Sequence, residues 1–285
     1  MRISAPSRLA VVAAAFAALA AVVVPASAAP APAPCAAPRT GAGPGTAAAP
    51  FKVWLAGDST MANGGSTCPV GWGREFDRLF TDDVTVVNNA VGGRSIQTWL
   101  YESNVKTTTD AAGECVVSPR TYASRWAGML ATGGMQAGDW LIIQFGINDG
   151  DRNCPRHVGT TRYRELLATM GREAKARGVK PVYVTPVASI RCSGSTAVGN
   201  RGFVGETTAQ AQADQVPVID LHQRSVALYN SLGLCPNDGD YTRGAVGAFF
   251  CDDHTHFEAA GAARIAETVA RALREQNIGL AAYLR

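Results

Sequence analysis

The stretch Val53-Trp54-Leu55-Ala56-Gly57-Asp58-Ser59-Thr60 decides how the chain reads. A short apolar run ends abruptly at a glycine, the mark of a buried strand. Open α/β sheets carry their chemistry just past the carboxyl ends of such strands, and Ser59 stands there. Gly-Asp-Ser also has an ordinary reading, because Asp and Ser satisfy free N–H groups where a helix begins. Catalysis at Ser59 therefore requires that the rest of the chain supply a base, a carboxylate and donors for an oxyanion.

Working outward from that strand, apolar residues at helical spacing (Trp72, Phe76, Leu79, Phe80) predict a crossover helix over 71–80. A β-branched strand follows at 84–89, then a Gly92-Gly93 turn and a short helix from Ile96 to Tyr101. Residues 102–119 read as a long surface loop and 122–130 as a helix. The clearest strand, 139–146, stops at Gly146-Ile147-Asn148-Asp149. An amphipathic helix at 160–177, a strand at 180–186, a weak helix at 207–215 and a strand at 216–221 come next. A helix at 222–232, a loop at 233–251 and a closing helix at 259–275 complete the chain. Repeated strand–helix alternation with strands apolar on both faces predicts an α/β fold. It is a three-layer α/β/α sandwich around a parallel sheet of about five strands.

The amino-terminal residues read differently. Residues 1–28 have the form of a secretory signal peptide. Arg2 and Arg8 precede the apolar run Leu9–Val24, and Pro25-Ala26-Ser27-Ala28 offers a cleavage site. The run is short for a membrane span and Pro25 stops it, so a retained anchor is disfavoured. Residues 29–50 are Pro/Ala/Gly-rich and read as a semi-extended linker. The folded unit is therefore expected over 51–285, and the protein is expected to be secreted, without stable membrane association.

The formal charge is +3, and it becomes +1 once Arg2 and Arg8 are set aside. No long basic run exists, which excludes nucleic acid as a natural partner. A monomer acting on a small or carbohydrate ester is the expectation. Seven cysteines are present. Cys68, Cys115, Cys154, Cys192, Cys235 and Cys251 lie singly in the folded unit and predict three disulfides in an exported protein. Neighbours in order (68–115, 154–192, 235–251) are the expected pairs, with Cys35 the odd one.

The loops supply every partner that Ser59 needs. His256 and Asp253, three residues apart in Cys251-Asp252-Asp253-His254-Thr255-His256, can act as base and orienting carboxylate. The backbone N–H groups of Ser59 and Gly93 and the side-chain amide of Asn148 are candidate oxyanion donors. Asp252 is the weaker alternative to Asp253. His254-Thr255-His256 beside two aspartates could be read as metal ligands, but no separate ligand cluster accompanies them. Asp149-x-Asp151-x-Asn153 imitates a calcium loop, yet Cys154 stands where glycine belongs and Thr160 where glutamate belongs. No metal or organic cofactor is expected. His157 and His222 read as structural.

These blocks resemble the SGNH/GDSL hydrolase family. Gly57-Asp58-Ser59, Gly93, Gly146-x-Asn148-Asp149 and Asp253-x-x-His256 follow one another in the family's order. Gly-Asp-Ser-Thr at 57–60, Gly-Trp-Gly at 71–73, the 88–95 segment and Asp-x-Thr-His at 253–256 are similar to the rhamnogalacturonan acetylesterase-like branch. The resemblance implies a flavodoxin-like fold. It implies Ser59 as nucleophile, His256 as base, Asp253 as orienter, and Ser59, Gly93 and Asn148 as the oxyanion hole. It also implies a serine esterase removing acetyl groups from a polysaccharide such as rhamnogalacturonan or xylan. A lipase for longer acyl chains and a non-catalytic carbohydrate-binding module are the alternatives. The chain departs from the family pattern at Ile147, where the third block often carries histidine, and in the long segments 102–119 and 233–251. Of the aromatics Trp72, Trp99, Tyr101, Trp126 and Tyr241, which could stack on sugar rings, Trp99 and Tyr101 are the expected substrate-binding pair.

Overall fold

The computed structural model describes residues 50–285. The expected signal peptide, nearly all of the linker and Cys35 lie outside the described residues. Strand β1, Phe51–Gly57, belongs to a five-stranded parallel sheet, next to its edge. It pairs with β2 (Val84–Asn88) on one side and, with β3 (Val105–Thr109) and β4 (Cys115–Val117) forming a separate hairpin, with β5 (Trp140–Gln144) on the other. β6 (Lys180–Val184) follows, and beyond the small hairpin β7 (Cys192–Ser193) and β8 (Thr196–Ala197), β9 (Val218–Ile219) closes the order β2-β1-β5-β6-β9.

Side chains alternate across each strand, and the core divides accordingly. Val53, Leu55, Ile142, Val182 and Ile219 face one layer; Trp54, Ala56, Leu141, Ile143 and Tyr183 face the other. The second layer is covered by α1 (Ile96–Tyr101), α2 (Ser124–Leu130), α3 (Thr160–Lys175) and α4 (Val204–Asp214). The first is covered by α5 (Leu221–Ser231), α6 (Gly244–Phe249) and α7 (Ala259–Glu275), whose Ile265, Val269 and Leu273 form one apolar stripe. Burying each such side chain stabilises the fold by about 1.5–3 kcal/mol.

Local chemistry explains where the elements depart from expectation. Residues 72–80 form two 3₁₀ turns, Trp72–Glu75 and Asp77–Leu79, instead of an α-helix. Gly71 and Gly73 lie against the backbone of Met61 and Ala62, so close that a Cβ at Gly71 would fall 2.1 Å from the Ala62 carbonyl oxygen. Two glycines that permit this approach also disfavour helix. The apolar spacing still holds, since Trp72, Phe76 and Phe80 are all buried. Segment 102–119 is not a loop but contains the β3–β4 hairpin, and 233–251 contains α6. The last strand is cut to two residues because the Asp220 side chain accepts from Gln223 N–H at 3.0 Å and starts α5 at Leu221.

The cysteine pairing also differs. The bridges are Cys68–Cys251, Cys115–Cys154 and Cys192–Cys235, with Cα separations of 5.8, 5.5 and 5.6 Å. None of the three expected neighbour pairs forms. The β3–β4 hairpin folds back onto the loop after β5, and the loop after β1 meets the loop before α7, so sequence neighbours are not spatial neighbours.

Candidate active site

The strand order places a switch point between β1 and β5, whose following connections lead to opposite sides of the sheet. Ligands bind outside the carboxyl ends of strands at such points. Ser59 follows β1 and Asn148 follows β5.

Asp58 fixes the serine turn from below. It is fully buried, and its Oδ1 accepts from Thr60 N–H at 2.9 Å and from the Thr60 hydroxyl at 2.8 Å. Gln144 donates to that hydroxyl at 2.7 Å and accepts from the Trp72 indole at 2.8 Å. This chain of buried bonds ties the end of β1 to β5 and to the glycine-rich turn. Burial pushes the Asp58 carboxyl up, against the opposing pull of the Thr60 bonds.

The loop before α7 brings His256 to the serine. Its Nε2 lies 2.7 Å from Ser59 Oγ, across 197 positions of sequence. Its Nδ1 bonds to Asp253 Oδ2. The other oxygen, Asp253 Oδ1, accepts from the backbone N–H groups of Thr255 at 3.0 Å and His256 at 2.9 Å. Partial burial works to raise the Asp253 carboxyl, but the His256 backbone N–H, the His256 ring and the Thr255 N–H outweigh it and hold it below the usual carboxylate range. Asp253, rather than Asp252, faces the imidazole. Both His256 ring nitrogens are engaged in this relay.

Four further contacts hold the histidine loop. Cys251 N–H donates to the His256 carbonyl at 2.8 Å, and Val70 N–H donates to the Phe257 carbonyl at 2.9 Å. The Cys68–Cys251 bridge joins the same two segments covalently. Arg201 donates to the Thr255 hydroxyl at 3.1 Å. Burial lowers the Arg201 guanidinium while nearby Asp58, Tyr229 and Asp253 support its charge.

The donor side is built by two loops. Val91 N–H bonds to the Gly57 carbonyl at 2.9 Å, which lays the Gly92-Gly93 turn along the end of β1. A Cβ on Gly92 would stand 3.6 Å from the Ser59 Cβ, and Gly93 has φ +71°, a conformation that favours glycine. Asn148 donates to the Arg94 carbonyl at 3.1 Å, so its amide sits beside this turn. Buried Asp149 locks the two loops together. It accepts from Ile96 N–H through Oδ1 and from Gly146 N–H through Oδ2, both at 2.9 Å. Burial pushes its carboxyl up to about 7. Ser59, the Gly93 turn, Asn148, Asp253 and His256 thus converge.

A family model for GDSL-like lipases and acylhydrolases matches residues 55–264. The chain belongs to this family. The probable rhamnogalacturonan acetylesterase YesY of Bacillus subtilis is 28% identical over 232 residues, covering 80% of this chain and 94% of that protein. The rhamnogalacturonan acetylesterase RhgT of the same organism is 29% identical over 254 residues, covering 82% and 94%. The crystal structure of Bacillus subtilis YxiM shares the fold with a TM-score of 0.62 at 22% identity. That match covers 80% of this chain, which spans 57% of the length of that one.

The expectation that Trp99 binds substrate needs correction. Trp99 is fully buried, packs on Trp126 and Phe145, and donates to the Asn89 carbonyl at 2.9 Å. It is a core residue, turned inward by helix α1. Tyr101 stacks on Tyr122 with ring centroids 5.4 Å apart. Trp72 and Trp126 are buried too, which leaves Tyr241 as the ring that lines a hollow with His256. His157 bonds to the Asp151 carbonyl and His222 accepts from the backbone of Asn200 and Arg201, so both are structural. Thr60, Gln144, Asp149 and Arg201 were not legible as site residues. Gln144 and Arg201 stand outside any motif, while Thr60 and Asp149 belong to motifs but carry no role there, because their partners are groups that only the fold brings near.

Proposed function

We propose that the chain is a secreted serine esterase that removes acetyl groups from a polysaccharide, with rhamnogalacturonan or xylan as candidate polymers. The observation that carries this is the 2.7 Å contact between His256 Nε2 and Ser59 Oγ, in line with Asp253 behind the ring. The names of the relatives YesY and RhgT point to acetylated pectic polymers, and three disulfides suit an oxidising compartment.

In this reading His256 takes the Ser59 hydroxyl proton as Oγ attacks the acetyl carbonyl carbon. The negative charge that develops on the carbonyl oxygen meets Ser59 N–H, Gly93 N–H and the Asn148 amide. His256 then returns the proton to the departing sugar oxygen, leaving an acetyl ester on Ser59. Water, deprotonated by the same imidazole, hydrolyses that ester. Asp253 holds the ring and stabilises its charged form.

Hydrolysis of 4-nitrophenyl acetate by wild type and Ser59→Ala tests the reading. A fall of at least about 10³-fold in kcat is expected; a variant that keeps its rate overturns it. A chain-length series then separates acetylesterase from lipase: a maximum at long acyl chains rejects the acetyl preference.

A further inference from the structure

Two hollows adjoin the site, one lined by Asn148 and the other by His256, and they differ in charge. One, about 330 Å³, is walled by Asn148, Asp151, Arg156, Arg201 and Phe203 among others, with Asp151 paired to Arg156. The other, about 490 Å³, is walled by Tyr241, Thr242, Asp252, Asp253, His256 and Glu258 among others, with no lysine or arginine among its wall residues. Both fall in the size range of small-molecule sites, about 300–1,000 Å³.

Reaction geometry assigns the two sides. The carbonyl oxygen of an ester must face the donors, and Asn148 lines the first hollow. The departing alcohol oxygen must face His256 Nε2, which delivers its proton. His256 lines the second hollow, so the sugar chain on the alcohol side extends toward it.

The walls of that second hollow suit a particular ligand. Tyr241 is half-buried, with its ring centroid 5.7 Å from that of His254, which props it at the rim. Glu258 is half-buried at the start of α7, yet its side chain makes no capping bond there. An aromatic face takes the C–H face of a pyranose, and free carboxylates accept hydrogen bonds from its hydroxyls. A sugar carrying its own carboxylate would meet Asp252, Asp253 and Glu258 without a compensating cation. We propose that this hollow is a subsite for a neutral sugar residue of the polysaccharide, stacked on Tyr241 and hydrogen-bonded to Glu258. The proposal rests on the esterase reading only for the direction in which the substrate lies.

Calorimetric titration tests it directly. Xylotriose, cellotriose and a rhamnose-terminated disaccharide are the neutral probes, and trigalacturonate is the anionic one. Each is titrated into Ser59→Ala, alone and combined with Tyr241→Ala or Glu258→Gln. At least one neutral probe is expected to bind, with a Kd about tenfold lower than that of trigalacturonate and raised about tenfold by Tyr241→Ala. In the otherwise wild-type enzyme, Tyr241→Ala and Glu258→Gln should raise KM for an acetylated form of that probe. Their rate on 4-nitrophenyl acetate should stay within about twofold, a split that a loss of folding would not produce. Binding of no neutral probe, binding of trigalacturonate as tight as theirs, or affinity indifferent to Tyr241 overturns the subsite. Binding as expected in a wild-type protein that turns over no acetyl ester would instead reject the esterase reading and leave the subsite standing.

Discussion

Removing the Cys68–Cys251 bridge should loosen the fold and disturb the Ser59–His256 contact together. The bridge joins the loop that follows Ser59 to the loop that carries His256. It spans 183 positions, but the inner bridges Cys115–Cys154 and Cys192–Cys235 already short-circuit 39 and 43 of them. The effective loop is therefore about 100 residues, for which the chain-entropy model gives about 4.7 kcal/mol. Each inner bridge closes a shorter loop and is worth about 4 kcal/mol by the same relation. Because the dependence is logarithmic, stability alone barely ranks the three; activity does. Cys68→Ser/Cys251→Ser should lose about 3–5 kcal/mol in urea unfolding, a drop of roughly 10–15 °C in Tm. At a temperature where it is fully folded, its kcat on 4-nitrophenyl acetate should also fall. Cys192→Ser/Cys235→Ser should lose similar stability and keep its kcat. A loss under about 1 kcal/mol for the outer pair, or equal effects of the two pairs on kcat, would refute the reasoning. Peptide mapping of the non-reduced protein must also recover Cys68 linked to Cys251.

Other consequences follow from single side chains. Asp253→Asn keeps an oxygen for the Thr255 and His256 N–H groups but removes the charge that supports an imidazolium. Its kcat should fall about 10³- to 10⁴-fold with little change in KM; steady-state kinetics that show less than a tenfold loss would remove Asp253 from the relay. Asp149 is held near 7 in the fold against an ordinary 3.8. A carboxyl raised in this way contributes stability that is fully present below about pH 4 and lost as pH rises through 7. Urea midpoints measured at pH 5 and pH 8 should fall with pH more steeply in wild type than in Asp149→Asn, and equal slopes would contradict this. Gly73→Ala places a Cβ 2.5 Å from the Met61 carbonyl oxygen and 2.8 Å from Leu55. It should cost about 1–3 kcal/mol in denaturant unfolding, whereas Gly128→Ala, which meets nothing within 4 Å, should not destabilise.

The difference between what was legible and what was not follows from the range of the interactions. Periodicity reports burial along one element, so α1 at Ile96–Tyr101 and α7 at Ala259–Glu275 stand where the residue pattern places them. Ser59, Gly93 and Asn148 converge because they follow strands of one parallel sheet, and the loop before α7 brings Asp253 and His256 to them. What periodicity cannot report is which backbone lies underneath. Trp72, Phe76 and Phe80 are spaced for a helix, yet Gly71 and Gly73 serve a close contact with Met61 and Ala62 that lies in another segment. Trp99 follows the second-strand loop closely in sequence, but a six-residue helix rotates it into the core.

The cysteines mark the one place where more was available than sequence order suggests. Local loops close most cheaply, which favours neighbour pairs, and all three neighbour pairs are wrong. The proposed relay carries a stronger constraint. If His256 must reach Ser59, the two loops that carry them must touch. Cys68 lies nine positions after the serine and Cys251 five before the histidine. A reader who trusts the relay must place those two cysteines near one another, whatever their separation in the chain. Functional geometry, applied before disulfide pairing, selects Cys68–Cys251 and leaves Cys115, Cys154, Cys192 and Cys235 to pair locally among themselves, as they do.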